Sequence, residues 1–504
     1  MANRPNFAKP YQQGFILFLL VALHFWVKGF YLGDKSLAGD EPFSVYHAQM
    51  SVGAIIHQLS QGNNPPLYEI ILHYWVKAFG ISALSVRIPS LIFSGITTIL
   101  LYLTGIRFFN QRVAVYASVI FIFSNYHILL AQEARVYALL GMLSVLSMFL
   151  FMGILKEDQT LVSKKEKTNP SGISTTKVVL LAGVNVLLMY AHYFGFFILW
   201  TQFIFLLFDF RFFTRHFKKV WLYLGLLTVG YAPNVNVLIH RFADSSGGTW
   251  VKPPEGIESL YNMLWTYSNA PVVAVSVLAM FGGALIHYFA QRNAPRPSIF
   301  SRLVLFWFGF IVCFMFAVSF QVPIFMDRYT MPAAVAFPLL IGISADFLVQ
   351  KSWARFLIPT VLCGMFVFTV KPNSNNGRDI QAIVQKVKSL QTNGSMVYIC
   401  PDWFDLNFVY YYNRGYFEDV NEVHIKDNLR AHLRADHVFP IHHAEQIAKQ
   451  SLTKVNRIIY LDTGADFTYP NNGIRAYLAT HFELKEEIRF DELFQVLVYE
   501  KSKR

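Results

Sequence analysis

The sequence predicts a polytopic α-helical membrane protein that ends in a small α/β domain. Of its 504 residues, 54% are hydrophobic and only 15% are charged, whereas soluble domains are commonly about a quarter charged. Apolar stretches close to the roughly 20 residues that cross a bilayer recur along the chain. The last part of the chain differs, because strand-like runs and balanced charges replace the long apolar stretches.

The apolar stretches predict about eleven transmembrane helices. They lie at roughly 14–32, 88–106, 113–130, 135–155, 178–191, 194–209, 220–240, 271–290, 302–320, 330–349 and 355–371. The first ends in bulky residues rather than a small-residue cleavage site, so we interpret it as a retained helix and not a signal peptide. The fifth and sixth form one apolar block, which His192 and Gly195 interrupt, and we therefore predict two spans there.

The distribution of Lys and Arg orients these spans. With the N-terminus inside, the inner segments hold eighteen Lys and Arg, and the outer loops before residue 372 hold only about seven. Short loops that are rich in basic residues stay on the cytoplasmic side. We therefore predict a transmembrane domain over 1–371, in which residues 33–87 form a long first outer loop.

An odd number of spans places the tail, residues 372–504, outside the cytoplasm. The tail has 16 basic and 17 acidic residues, against 27 and 14 in the first 371. The formal charge of +12 is therefore a topology signal and gives no evidence for nucleic acid as a partner. Runs such as SMVYIC, NRIIYLD and QVLVYE alternate with helix-like runs, which predicts a soluble extracytoplasmic α/β domain.

An acidic pair opens the first outer loop. Asp40 and Glu41 lie in LAGDEPFSVY, a few residues beyond the first span. Taken alone, this pair is equally compatible with a solvated helix cap.

Other polar side chains follow on the same predicted side. They are Glu133, Arg135, His192, Tyr193, Arg241, Asp327 and Arg328. The middles of the spans are almost free of ionisable residues, although proton- or ion-coupled transporters usually need such groups at mid-depth.

Four short motifs follow one another in an order that is similar to that of a known protein family. Asp40-Glu41 is followed by NPPLY at 64–68, by RIPSL at the second span and by EARVYAL at the fourth. This order resembles the GT-C glycosyltransferases, in particular the bacterial relatives of protein O-mannosyltransferases and of lipid A aminoarabinose transferases. The resemblance covers roughly residues 14–350. It implies a multi-pass protein of the bacterial inner membrane that moves a sugar from a polyprenyl phosphate to a protein, lipid or glycan acceptor, with inversion at the anomeric carbon.

The resemblance also implies roles for individual residues. Asp40 matches the catalytic base, and Glu41 would tune it. Arg135, Arg241 and Arg328 are the candidates for binding the donor phosphate, because the planar guanidinium can bond two oxygens at once. The alternatives are a structural pair with Glu133 for Arg135, and interfacial anchors for the other two arginines.

A substrate pocket completes the predicted site. Its candidate residues are Pro65, Pro66, Tyr68, Glu133, Tyr137, His192 and Tyr193. A His-Tyr pair at a helix tip is also compatible with an interface anchor. Aminoarabinose transferases carry a lysine just before the two prolines, where this chain has Asn64, which puts specificity for aminoarabinose in doubt.

No cofactor is required by these residues. No Asp-x-Asp and no metal-ligand spacing of Cys or His is visible, so the sequence neither requires nor excludes a divalent metal. Two functions of other classes stay open: a flippase or other transporter of lipid-linked sugars, and a non-catalytic component of an envelope polysaccharide assembly complex.

Overall fold

The computed structural model describes residues 9–62, 64–163, 172–245, 251–290, 297–348, 354–373, 379–453 and 455–501. The chain divides into two compact units. The helical unit comprises residues 1–32, 56–68 and 87–375, and the sheet unit comprises residues 33–55, 69–86 and 376–504.

The helices up to residue 368 range from short turns of helix to spans of more than 20 residues, and most are apolar. In chain order they are α1 (Pro10–Gly29), α2 (Glu41–Ala48), α3 (Val52–Ser60), α4 (Leu67–Phe79), α5 (Ala83–Phe108), α6 (Gln111–Phe123), α7 (Asn125–Ala131), α8 (Tyr137–Ser163), α9 (Thr175–Ala191), α10 (Phe196–Leu207), α11 (Arg211–Arg215), α12 (Phe217–Tyr231), α13 (Val235–Ser245), α14 (Glu258–Tyr267), α15 (Pro271–Ala290), α16 (Ile299–Val318), α17 (Met331–Ala334), α18 (Phe337–Leu348) and α19 (Ala354–Phe368). Short 3-10 turns lie at Tyr193–Gly195, Ala232–Asn234 and Asp327–Thr330.

Membrane-spanning character is confirmed for much of this set. Among the described residues, six helical stretches are long and apolar enough to cross a membrane, and up to eight if each of two bent pairs is one span. Shorter apolar helices at Thr175–Ala191, Tyr193–Leu207 and Phe356–Phe368 coincide with the three other predicted spans. The chain is thus a multi-pass membrane protein, and the predicted count of eleven spans is not confirmed.

The break between α6 and α7 shows how the helical unit tolerates bent spans. The two helices meet at 65°, because Ser124 between them is extended (φ −75°, ψ 120°). The Asn269 side chain bonds both broken ends: its amide donates to the Phe123 carbonyl oxygen (2.8 Å) and its oxygen accepts from the Asn125 N–H (2.7 Å). Buried backbone groups that lose their helical partners are thereby satisfied.

The predicted interruption at 192–195 is also present. His192 is extended (φ −157°, ψ 142°) and ends α9, and its Nδ1 accepts from the Phe194 N–H at 3.1 Å. A Cβ at Gly195 would lie 2.5 Å from the Leu188 carbonyl oxygen, so only glycine fits this close approach.

The sheet unit is an α/β fold around five strands. They are β1 (Ser395–Cys400), β2 (Val438–Pro440), β3 (Arg457–Thr463), β4 (Glu483–Arg489) and β5 (Phe494–Glu500), in the order β2-β1-β3-β5-β4. The helices that follow α19 are α20 (Ile380–Leu390), α21 (Asp405–Tyr412), α22 (Arg414–Glu418), α23 (Asp427–Ala435), α24 (Glu445–Ala448), α25 (Ala465–Thr468) and α26 (Ile474–His481), with a 3-10 turn at Asp402–Phe404.

The burial of each strand agrees with its position in the sheet. β1 pairs in parallel with β2 and β3, in registers that place Val397 beside Val438 and Ile459. β1 and β3 are buried on both faces, as expected of central parallel strands. β4 is almost wholly exposed and charged, which suits an edge strand. The predicted small α/β domain at the end of the chain is therefore present.

Candidate active site

The acidic turn belongs to the sheet unit. Gly39 has φ +60° and turns the chain just before Asp40, a backbone conformation that glycine adopts at no steric cost. Asp40 thus lies at the predicted cap position, the N-cap of α2, and is exposed, but its side chain makes no capping hydrogen bond to α2.

Glu41, the first residue of α2, bonds back to the chain before the helix. It is only 5% exposed, and its Oε2 accepts from the Ala38 N–H at 3.2 Å. One turn further along α2, the Ser44 hydroxyl donates to Glu69 Oε1 at 2.8 Å, and Glu69 is 2% exposed. The three carboxylates thus differ in burial: Asp40 is exposed, whereas Glu41 and Glu69 are buried.

Several predicted residues of the helical unit come together around His192. Its ring centroid lies 6.0 Å from that of Tyr137 and 5.7 Å from that of Tyr329. The Arg328 guanidinium lies 5.8 Å from the ring centroids of both tyrosines. Arg135 is 5% exposed and, like Arg328, acts electrostatically on His192. We call these five residues the arginine cluster.

Burial and the two arginines keep the histidine of the arginine cluster neutral. His192 lies between α9 and α10, outside both helices. Burial, together with the positive charges of Arg135 and Arg328, lowers the pKa of His192 to about 3. A neutral imidazole can accept or donate a hydrogen bond at neutral pH, and the two guanidinium groups supply the positive charge of the cluster.

Two tyrosines hold the turn that carries Arg328. The Tyr126 hydroxyl donates to the Asp327 carbonyl oxygen at 2.7 Å. The Tyr267 hydroxyl donates to the Thr330 hydroxyl, which itself donates to the same carbonyl oxygen at 2.7 Å. The 3-10 turn at Asp327–Thr330 is thereby fixed at both ends.

The proline motif reaches Arg135 through one serine. The Tyr68 hydroxyl lies 3.0 Å from the Ser90 hydroxyl, which donates to the Arg135 carbonyl oxygen at 3.3 Å. Pro65 is buried and Pro66 half-buried, just before α4. The predicted shaping role of this motif has a physical basis here, since Tyr68 helps to fix the backbone of a cluster arginine.

The backbone around Arg135 has further supports. The Arg135 N–H donates to the carbonyl oxygen of the half-buried Glu133 at 2.8 Å. The Gln132 amide donates to the carbonyl oxygens of Lys28 and Pro372, at 3.0 Å each. This short segment between α7 and α8 is thus held from several sides.

Arg241 lies beside a different predicted residue. Its Nη2 donates to the Ser60 carbonyl oxygen at 3.3 Å, and its charge acts on Tyr193, which directly follows His192. Tyr193 is half-buried. Arg241 and Tyr193 therefore form a pair next to the arginine cluster along the chain.

The predictions missed three residues with roles in this architecture. Tyr329 follows Arg328 directly and could have been found from that adjacency. Ser90 lies within the RIPSL motif, which supports the family resemblance without a role for its serine, and Glu69 directly follows NPPLY in an apolar run that gives it no signal. In the described ranges, no three His, Cys, Asp or Glu side chains group as a metal site would need.

Comparison with known proteins bears on the fold. No protein-family model matches the chain, and no curated protein sequence matches it. Among solved structures, it is similar to ArnT from Cupriavidus metallidurans in the apo state (TM-score 0.59, 11% identity) and bound to undecaprenyl phosphate (0.59, 12%), over 95% of this chain and 97% of that chain in both cases.

A second structural relative is larger. The archaeal oligosaccharyltransferase AglB from Archaeoglobus fulgidus, in complex with an inhibitory peptide and a dolichol-phosphate, matches with a TM-score of 0.52 and 9% identity, over 98% of this chain and 74% of that chain. Both relatives have the GT-C fold. The resemblance predicted from the sequence is therefore confirmed: the chain has a GT-C-type membrane fold.

Proposed function

We propose that the protein is an inverting glycosyltransferase that moves a sugar from a polyprenyl-phosphate donor to an acceptor on the extracytoplasmic side of the bacterial inner membrane. The observation that carries this proposal is the arginine cluster, in which Arg328 lies 5.8 Å from the ring centroids of Tyr137 and Tyr329 beside the buried His192, on which Arg135 also acts. An anion that binds near both guanidinium groups is attracted by both positive charges. The fold adds support, because ArnT with this architecture has been solved with undecaprenyl phosphate.

The proposed reaction needs one base and several cations. The acceptor hydroxyl or amine attacks the anomeric carbon, and the bond from that carbon to the phosphate oxygen breaks. The proton of the acceptor passes to the Asp40 carboxylate, and the polyprenyl phosphate leaves with the bonding electron pair. Because the phosphate is already a good leaving group, no acid need protonate it. Arginines then stabilise its developing charge.

Each part of the structure suits its proposed role. Asp40 is exposed, so an acceptor can approach its carboxylate. Arg135 and Arg328 can offer planar donor groups to phosphate oxygens. Tyr137, Tyr329 and the neutral His192 offer ring faces and polar edges, which suit a sugar.

The test is a transfer assay with the full-length protein in detergent. Its donor is the polyprenyl-phosphate sugar fraction extracted from cells that lack the gene, and its acceptor is the envelope fraction of the same cells. Mass spectrometry follows loss of the donor and labelling of the envelope fraction. Asp40→Asn should lower the rate per folded molecule about 10²–10⁴-fold, which is the usual contribution of a general base.

Two variants in the same loop serve as comparisons. Asp34→Asn makes the same change at another exposed carboxylate and should retain the wild-type rate. Glu41→Gln should have a milder effect than Asp40→Asn, because Glu41 bonds the Ala38 N–H. If Asp40→Asn kept more than about a tenth of the wild-type rate, Asp40 would not be the general base. Movement of the extracted lipid across vesicle membranes without any product would instead indicate a transporter.

A further inference from the structure

We infer that one face of helix α21 in the C-terminal domain positions the Asp40 turn, with Asn407 and Tyr411 as positioning residues. This inference rests on the proposed role of Asp40 as the base. It assigns a function to the end of the chain, where the sequence shows no recognisable motif. The evidence lies entirely within the sheet unit, which contains both the turn and α21.

The turn is bonded by α21 immediately before Asp40. The Asn407 amide donates to the Gly39 carbonyl oxygen at 3.0 Å. The Tyr411 hydroxyl accepts from the Leu37 N–H. Asn407 and Tyr411 are four residues apart and therefore lie on the same face of the helix. Together they fix two backbone groups within three residues of the proposed base.

The same face bonds a second part of the first loop. The Tyr410 hydroxyl donates to the Ile81 carbonyl oxygen at 2.7 Å. Asn407 is 2% exposed, and no hydrogen bond to its side-chain oxygen is found in the described part of the chain. The amide is therefore oriented by what its nitrogen donates to, namely Gly39.

The helix α21 is itself anchored at its start. Asp405 is fully buried, and its carboxylate accepts from Lys426 Nζ (3.1 Å) and from Arg430 Nε and Nη2 (both 3.1 Å). A buried carboxylate with two cationic partners resists displacement, because separation would leave a charge without compensation. Movement of α21 relative to the body of the sheet unit is thus opposed.

Further contacts hold the chain on both sides of the Asp40 turn. Before it, the Ser36 hydroxyl donates to Asp379 Oδ1 at 3.0 Å. After it, the Tyr46 hydroxyl donates to the Ile425 carbonyl oxygen at 2.7 Å. Burial, with Asp405 and Asp419 nearby, raises the pKa of Tyr46 to about 12, so this hydroxyl keeps its proton.

Ser51 completes the set of contacts at the end of this segment. Its N–H and its hydroxyl both donate to the Glu422 carboxylate, at 2.5 and 2.8 Å. All these partners belong to the last quarter of the chain. The α/β domain therefore serves as a rigid support that sets the position of a turn more than 300 residues earlier in the sequence.

These contacts matter for the proposed function because they set the position of the Asp40 carboxylate. A general base must lie within hydrogen-bonding reach of the proton that it abstracts, and a displacement of about 1 Å can lower the rate roughly 10²-fold. Asn407→Ala removes the side-chain donor to the Gly39 carbonyl oxygen. We expect the turnover number to fall at least about 10-fold with little change in KM for the lipid donor.

A double-mutant cycle tests the inference in the transfer assay described above. If Asn407 acts through Asp40, Asn407→Ala should slow the wild type and leave the residual rate of Asp40→Asn unchanged. Asn428→Ala is the matched control, since Asn428 is an amide of the same domain that donates to Asp419 at 2.9 Å. This control should keep the wild-type rate.

Hydrogen exchange of the peptide around residues 36–46 gives a readout that needs no substrate. Asn407→Ala should speed exchange in the Asp40 turn, whereas Asn428→Ala should not. If Asn407→Ala does not fold, Tyr411→Phe replaces it, because it removes only the hydroxyl that accepts from Leu37.

The outcomes separate the two proposals. If Asp40→Asn keeps more than about a tenth of the wild-type rate, Asp40 is not the general base, and both the proposed mechanism and the inference fail. If Asp40→Asn is slowed as expected, but Asn407→Ala slows the wild type and the residual rate of Asp40→Asn by the same factor, only the inference fails. Unchanged exchange of the Asp40 turn in both Asn407→Ala and Tyr411→Phe would also overturn it.

Discussion

Replacing Arg135 by Gln should weaken binding of a polyprenyl phosphate more than replacing any exposed arginine. Arg135 is 5% exposed, so little water screens its charge. Truncating one partner of a buried charge pair, here Arg135 opposite the donor phosphate, costs about 2–5 kcal/mol. Arg328 acts on the same histidine and retains part of the attraction, so we expect the lower half of that range. A loss of about 2–3 kcal/mol corresponds to a roughly 30- to 150-fold rise in Kd.

The assay is thermal stabilisation of the detergent-solubilised protein by undecaprenyl phosphate. A ligand that binds only the folded state raises its stability in proportion to the logarithm of concentration over Kd. Undecaprenol, which lacks the phosphate, reports the contribution of the isoprenoid chain alone. Arg302→Gln is the matched control, since Arg302 is an exposed arginine of the same unit, in α16. Comparing each variant with and without lipid removes any change in its intrinsic stability.

The results with these variants distinguish a loss of phosphate binding by the Arg135 charge from a general loss of protein stability. Arg135→Gln should lose most of the difference between undecaprenyl phosphate and undecaprenol, while Arg302→Gln should keep it. Arg135→Lys should be intermediate, because it preserves the charge and loses the bidentate fork. If Arg135→Gln kept the full difference, Arg135 would not bind the phosphate, and Arg241 and Arg328 would be the next candidates. An equal response of the wild type to both lipids would refute phosphate recognition altogether.

Two further predictions concern topology and pH. In a chain without its three native cysteines, Val423→Cys should react with a membrane-impermeant reagent in intact spheroplasts and Lys218→Cys should not; the opposite pattern would invert the proposed orientation. The bonds from Ser51 lower the pKa of Glu422 below 4.5, so their contribution to stability is present above pH 4.5 and is lost as the pH falls through the lowered value. The melting temperature of Glu422→Gln should therefore fall less than that of the wild type on acidification, and parallel pH profiles would contradict this.

Much of the helical unit could be predicted from hydropathy and charge. Long apolar stretches have few alternatives to a membrane span, because every backbone group in lipid must be satisfied within a helix. The break at His192 and Gly195 was also predictable, since those residues interrupt an apolar block. The bends were not. The 65° turn at Ser124 depends on bonds from Asn269, about 145 residues later, and no local pattern encodes such a partner.

Only part of the arginine cluster could be predicted from the sequence, because its residues are far apart along the chain. Arg135, Tyr137, His192 and Arg328 come from three separate segments, and the motif resemblance and the predicted sidedness selected them together. Sidedness constrains only one dimension, so it could not show that Arg241 pairs with Tyr193 and Ser60. Positions within the membrane plane follow from packing of the helices, which sequence periodicity alone does not determine.

The end of the chain shows the limit most clearly. Its strands could be predicted, because buried parallel strands form continuous apolar runs, but Asn407 and Tyr411 carry no signal in the sequence. Their importance comes from what they bond, and those partners lie 368 and 374 residues away. A glycosyltransferase that takes its base from a turn needs that turn held rigidly, because a loop alone has many backbone conformations. The proposal therefore gives the α/β domain a physical purpose: its buried Asp405 and its sheet supply the rigidity that the Asp40 turn lacks by itself.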